Sequence, residues 1–283
     1  MEEPKPLPEE RLLEDVVIGR DGLVFADHPI RFEPTPRWVR AVLAGVTVAD
    51  SKRAMLLTEH QHMPVYYFPA DDVRMDLLEP ARTRPDEHKG EQTLYTLRVG
   101  DRTVAAAAWT HREPPPGGMD CRGYVAFYWS RLDTWYEEDD EVYAHPRDPY
   151  HRVDVLNSSR LVQVRLLGEL VAESRRPRIL FETGLPPRYY LPRADVRMDL
   201  LIPSPTTSQC PYKGLAGYWS AQVGDTVAKD IAWTYQYPLP EIPKIENLVC
   251  FFNERVDATI VDGAELAVPV TPWSGKRKLV KAE

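Results

Sequence analysis

Short runs of alternating apolar and polar residues recur along the chain. "VRAVLAGVTVADS" at 39–51 and "VQVRLLGELVAES" at 162–174 both alternate, and both break at a glycine, Gly45 and Gly168. Successive side chains of a strand point to opposite faces, so each run predicts two short antiparallel strands joined by a tight turn. "TLYTLRV", "TVAAAAW" and "GYVAFYW" follow the first run; "GYWSAQV", "IAWTYQY" and "LVCFFNERVDATIV" follow the second. "VGD" at 99–101 and 223–225 falls between two such runs and predicts a hairpin turn. The 27 prolines cut the chain into short pieces and disfavour long helices. The pattern is that of a mainly β chain with few short helices.

The runs come in two sets because the sequence is duplicated. The heptapeptide "DVRMDLL" stands at 72–78 and again, unchanged, at 195–201. Around it, "VYYFPADDVRMDLLEP" (65–80) matches "RYYLPRADVRMDLLIP" (188–203), and "YVAFYWSRLD" (124–133) matches "LVCFFNERVD" (248–257). The offset is 123 residues before Glu79 and 124 after Lys89, so one residue was gained or lost between them. Self-similarity at so long a period reads as two tandem domains. The expected division is an N-terminal extension (1–37), a first repeat (38–145), a linker (146–158), a second repeat (159–273) and a basic tail (274–283). Tyr150, Val153, Val155 and Leu156 predict a linker packed against the repeats. The heptapeptide itself predicts a turn leading into a strand, with Arg197 and Asp199 on one face.

Charge and cysteine content narrow the class of partner. With 35 Lys and Arg against 43 Asp and Glu, the net charge is −8, which disfavours a nucleic-acid groove. No apolar stretch approaches the length of a membrane span. The acidic, proline-rich start is unlike a signal peptide, and three cysteines without a CxxC pair do not make a disulfide framework. A cytoplasmic protein with a small-molecule partner is expected.

Candidate chemistry centres on the second repeat. Cys210 and Lys213 lie three apart in "TTSQCPYKG", and a lysine beside a cysteine favours a thiolate. Lys213 with Arg197 suits a carboxylate or phosphate, with Tyr189, Tyr190, Trp219, Trp233 and Tyr235 as aromatic walls. In the first repeat Arg74, Lys89 and Trp109 are kept, but Asp86 stands for Cys210 and His88 for Tyr212. A thiol reaction is therefore confined to the second repeat, whereas anion binding is open to both. "EHQHMP" spaces His60 and His62 as a metal-binding pair would be, but supplies no third ligand, and no metal or other cofactor is expected. The glycine-rich, P-loop, HExxH and GxSxG patterns do not occur.

The run "YYLPRADVRMDLL…CPYKG…GYWSAQVGD…IAWTYQYP…VCFFNERVD" resembles the domain-of-unknown-function family 427, over about 38–145 and 159–273. The resemblance implies a tandem two-copy form and a compact β-tent fold similar to methionine sulfoxide reductase B, with a pocket between sheets. It implies no established activity. Three readings are open: a binder of a small anionic ligand, an enzyme acting through Cys210 or Lys213, and a structural or partner-binding module.

Overall fold

The computed structural model describes residues 16–19, 22–25, 30–59, 62–116, 118–275 and 277–282. It is mainly β, and its helical pieces among these residues are single 3-10 turns such as Ala70–Asp72 and Met198–Leu200. The chain divides into two compact units, Met1–Pro146 and Arg147–Glu283.

Each unit pairs a large sheet with a four-stranded one. In the first, the large sheet runs Ile30–Pro34, Met55–Glu59, Val65–Pro69, Tyr124–Phe127, Arg102–Arg112, Gly90–Val99, Leu78–Asp86. The second repeats this order with Val153–Asn157, Arg178–Glu182, Leu185–Leu191, Val249–Phe251, Thr226–Pro238, Gly214–Val223 and Leu201–Cys210. The segment expected as a linker therefore contains an edge strand, paired with Arg178–Glu182. Val155 is buried there, whereas Tyr150 and Leu156 are more than half exposed, so the expectation that all four linker residues pack holds for only part of the segment. Leu279–Lys281 of the basic tail pairs with Thr226–Ala228.

Alternation explains the layers. In Val39–Leu43 the buried side chains are Val39, Ala41 and Leu43, which face the core between the two sheets. Val162, Val164 and Leu166 repeat this in the second unit. The connection to the next strand is two residues, Ala44-Gly45 or Leu167-Gly168, all with positive φ, a primed hairpin turn that matches strand twist. The large sheet also buries its other face. Tyr67 and Trp109 in the first unit, and Tyr190, Trp233 and Tyr235 in the second, belong to this outer cluster.

The heptapeptide has a structural explanation. It does not lead directly into a strand: Val73 and Val196 make isolated bridges to Ala49 and Ala172, and a 3-10 turn follows before the strand begins at Leu78 or Leu201. The chain doubles back there because its polar side chains are used locally. Ser51 and Arg53 bond Asp72, and Ser174 and Arg176 bond Asp195. Arg74 and Arg197 each close a two-point pair on Asp76 and Asp199.

Candidate functional site

The second half of the "KG" motif sets the geometry of the site. Gly90 has φ +87°, and a side chain there would collide with the carbonyls of Arg112 and Glu113. That close approach holds the hairpin end of Leu78–Asp86 and Gly90–Val99 down against Arg102–Arg112. Asp86 Oδ1 accepts the backbone N–H of His88 at 3.0 Å and of Lys89 at 2.9 Å, which tightens the turn.

Lys89 is thereby committed to the interior. Its Nζ lies 3.1 and 3.0 Å from the two oxygens of Glu59, with 8% and 9% of the two side chains exposed. Asp86 Oδ2 stands 3.7 Å from both Lys89 Nζ and His111 Nε2. His111 is opposite Gln92 across the ladder and stacks on Tyr67, which accepts the Trp109 indole N–H at 3.0 Å. Burial pushes the His111 pKa down to about 4, against the opposing charge of Asp86, so the ring is neutral at pH 7. Burial raises Asp86, but the turn N–H groups and the Lys89 charge outweigh it and hold the carboxyl below its usual range. Cys121, nearby and buried, is pushed up to about 12 chiefly by burial.

This cluster forms part of the wall of a pocket of about 770 Å³. The pocket passes around the start of Val65–Pro69, reaching Tyr66 on the inter-sheet side and Tyr67 on the outer side. Trp109, Tyr128, Trp129 and Trp135 also line it, as do Arg84, His62, His88 and Ser130. Trp109 and Tyr128 pack at 4.4 Å between ring centres, and Trp129 stacks on Trp135 at 4.4 Å. A cavity of this size that combines aromatic walls with charged and polar groups suits a small organic molecule.

The second unit keeps the scaffold and changes the filling. Lys213 pairs with Glu182, as Lys89 does with Glu59, and His151 Nε2 donates to Glu182 Oε1 at 3.0 Å. Burial raises the Glu182 pKa, but these two partners outweigh it and the carboxyl stays ionised. Trp233 donates to Tyr190 Oη at 3.1 Å and packs on Phe252 at 4.6 Å, matching Trp109, Tyr67 and Tyr128. At the positions of Val65 and Ser130, however, stand Arg188 and Glu254. They form a two-point ion pair at 2.7 and 2.5 Å, with 5% and 0% of the side chains exposed. Thr271 donates to the same carboxylate at 2.6 Å, and the guanidinium carbon lies 5.6 Å from the Trp233 ring centre and 5.7 Å from that of Trp273.

The sequence-based candidates are thus dispersed. Arg197 and Lys213 sit beyond opposite ends of the ten-residue strand Leu201–Cys210, roughly 30 Å apart at the rise of a strand. Arg74 and Lys89 are separated by Leu78–Asp86 in the same way, and of these two only Lys89 lines the first-unit pocket described above. Arg74 and Arg197 are exposed, with their guanidinium groups taken by Asp76 and Asp199. Trp219 faces the inter-sheet core, donating to Thr234 at 3.1 Å, whereas Tyr190, Trp233 and Tyr235 lie together on the outer face. Cys210 is a half-buried free thiol whose carbonyl accepts the Lys213 N–H. His62 lines the first-unit pocket, and His60 lies outside the described residues. Among the described residues no group of three or more His, Cys, Asp or Glu is placed to hold a metal ion. Among them too, no helix is long and apolar enough to cross a membrane. The sequence reading missed Glu59, Glu182, Val65 and Ser130; a signal for the last two is their joint replacement by opposite charges in the aligned copy.

Comparison with curated proteins gives no match. A family model matches twice, over residues 31–138 and 154–262. The chain therefore belongs to the family described as Domain of unknown function (DUF427), with two copies of its domain in tandem.

Proposed function

We propose that this protein binds a small, flat organic molecule in the pocket of the first repeat, and that the second repeat is a closed copy of the same site. One observation carries the reading. Two aligned positions hold Val65 and Ser130 beside an open pocket in one copy, and a buried ion pair, Arg188 with Glu254, in the other. A change confined to structural drift would not place two complementary charges at once, since either alone is costly when buried.

The aromatic lining supports a planar ligand, because ring stacking rewards flat partners. An anionic ligand finds less support than the sequence suggested. Lys89 and Lys213, the cations that were to hold it, are engaged by Glu59 and Glu182. Binding is favoured over catalysis through Cys210 or Lys213 on the same ground, since Lys213 is tied up beside a buried carboxylate. A reducing, cytoplasmic setting fits the three free cysteines.

Native mass spectrometry of the purified full chain, beside a Val65→Arg/Ser130→Glu variant that transfers the plug, tests the reading. A co-purifying small molecule on the parent and not on the folded variant is expected. Equal retention by both would move the site elsewhere.

A further inference from the structure

The second unit contains a worked example of what such a site accepts. The Arg188 guanidinium is a flat, delocalised cation held near the ring of Trp233, with Glu254 along its edge. Trp233 corresponds to Trp109, Phe252 to Tyr128, and the position that sends Arg188 into this space corresponds to Val65. Trp109, Tyr128 and Val65 all line the first-unit pocket. Truncating arginine to valine at that point opens, beside a retained indole and its aromatic neighbour, the space that a guanidinium fills in the other copy.

We propose that the first-repeat pocket selects a planar, delocalised cation, of the guanidinium, amidinium or protonated N-heterocycle class, stacked on Trp109. This rests on the pocket reading above and adds the charge and shape of the ligand. The electric balance of the lining agrees. The lining holds Glu59, Asp86 and Glu87 with Arg84 and Lys89, three carboxylates against two cations, a formal −1 counted over these five groups. Indole faces attract cations, most strongly where water is excluded. Ser130 stands where Glu254 grips the arginine edge, so a carboxylate restored there should strengthen the same contact.

The experiment titrates the full chain at pH 8, where histidines are neutral, with phenylguanidinium and with phenylurea, an uncharged molecule of similar outline. Calorimetry on the parent and on Ser130→Glu, a change at an exposed position, reads both affinity and stoichiometry. Phenylguanidinium should bind the parent one to one and about tenfold or more tighter than phenylurea. Ser130→Glu should tighten phenylguanidinium by a further factor of about ten and leave phenylurea unchanged. Equal affinities for the two probes, both lost in Val65→Arg/Ser130→Glu, would overturn the cation assignment while leaving the pocket reading intact. Binding unaffected by substitution at either Val65 or Ser130, or no binding of either probe at millimolar concentration, would overturn both.

Discussion

Arg188 and Glu254 meet through two parallel hydrogen bonds, 66 residues apart in sequence, with almost none of either side chain in contact with water. Burial raises the Glu254 pKa, yet the Arg188 and Thr271 donors overcome it and keep the carboxyl ionised. Removing either partner leaves the other buried and charged. Arg188→Met or Glu254→Ala should cost about 3–5 kcal/mol each, while Arg188→Val/Glu254→Ser, the first-repeat pair, should cost far less than their sum. Urea unfolding of the single and double variants reads this directly. Additive losses would mean that the two charges are not coupled.

His111 makes the first unit sensitive to mild acid. Its folded pKa of about 4 lies below the unfolded value, so on acidification the unfolded chain takes up the proton first. Stability should therefore fall as pH drops from about 6.5 towards 4, by up to about 3 kcal/mol, with no further loss from this group below. Tyr235 stands at the equivalent place in the second repeat. His111→Tyr should remove this part of the slope in denaturant unfolding measured across that range. Parallel profiles for parent and variant would contradict the assignment.

Tyr67 and Tyr190 each accept an indole N–H inside the outer cluster, from Trp109 and Trp233. Tyr67→Phe and Tyr190→Phe keep the ring and leave that donor buried without its partner. Each should lose about 1–3 kcal/mol of stability. A loss below about 0.3 kcal/mol at both sites would show that the bond is replaced by water.

The three thiols should separate by accessibility. Cys121 and Cys250 are at most 1% exposed, and Cys210 is half-buried at the end of its strand. Iodoacetamide at pH 8 should modify Cys210 in the folded protein and reach the other two only after unfolding. Mass mapping of the alkylated peptides decides it. Full labelling of Cys121 in the native state would contradict the burial that lifts its pKa to about 12.

Much of the fold was legible because strands write their two faces into alternate letters. Val39, Ala41 and Leu43 announced an inward face, and the "VGD" turns fell where two-residue hairpins join Val99 to Arg102 and Val223 to Thr226. The site was less legible, for a physical reason. Glu59 lies 30 residues from Lys89, and Glu182 lies 31 from Lys213, so the partners that neutralise both lysines were hidden by chain folding. The identity of "DVRMDLL" drew attention to Arg74 and Arg197, yet that identity reflects local bonding to Asp76 and Asp199. What marked the site was difference between the copies, at Val65 and Ser130, where sameness had seemed the stronger clue.

The one-residue mismatch between the copies falls at a bulge. Register slips between Pro80 and Arg82 in the first unit, where the strand has one residue more than its partner, and between Pro203 and Thr207 in the second, where it has two more. A bulge takes up surplus chain by bending outward, leaving the pairing on either side intact. Lys89 and Lys213 consequently arrive at the same inward station despite unequal path lengths. The bulge acts as an expansion joint: length can vary there without changing the phase of the rest of the hairpin. In Gly214–Val223, by contrast, a single added residue would reverse Tyr218 and Trp219 between the two faces of the sheet, and with them the assignment of core and site.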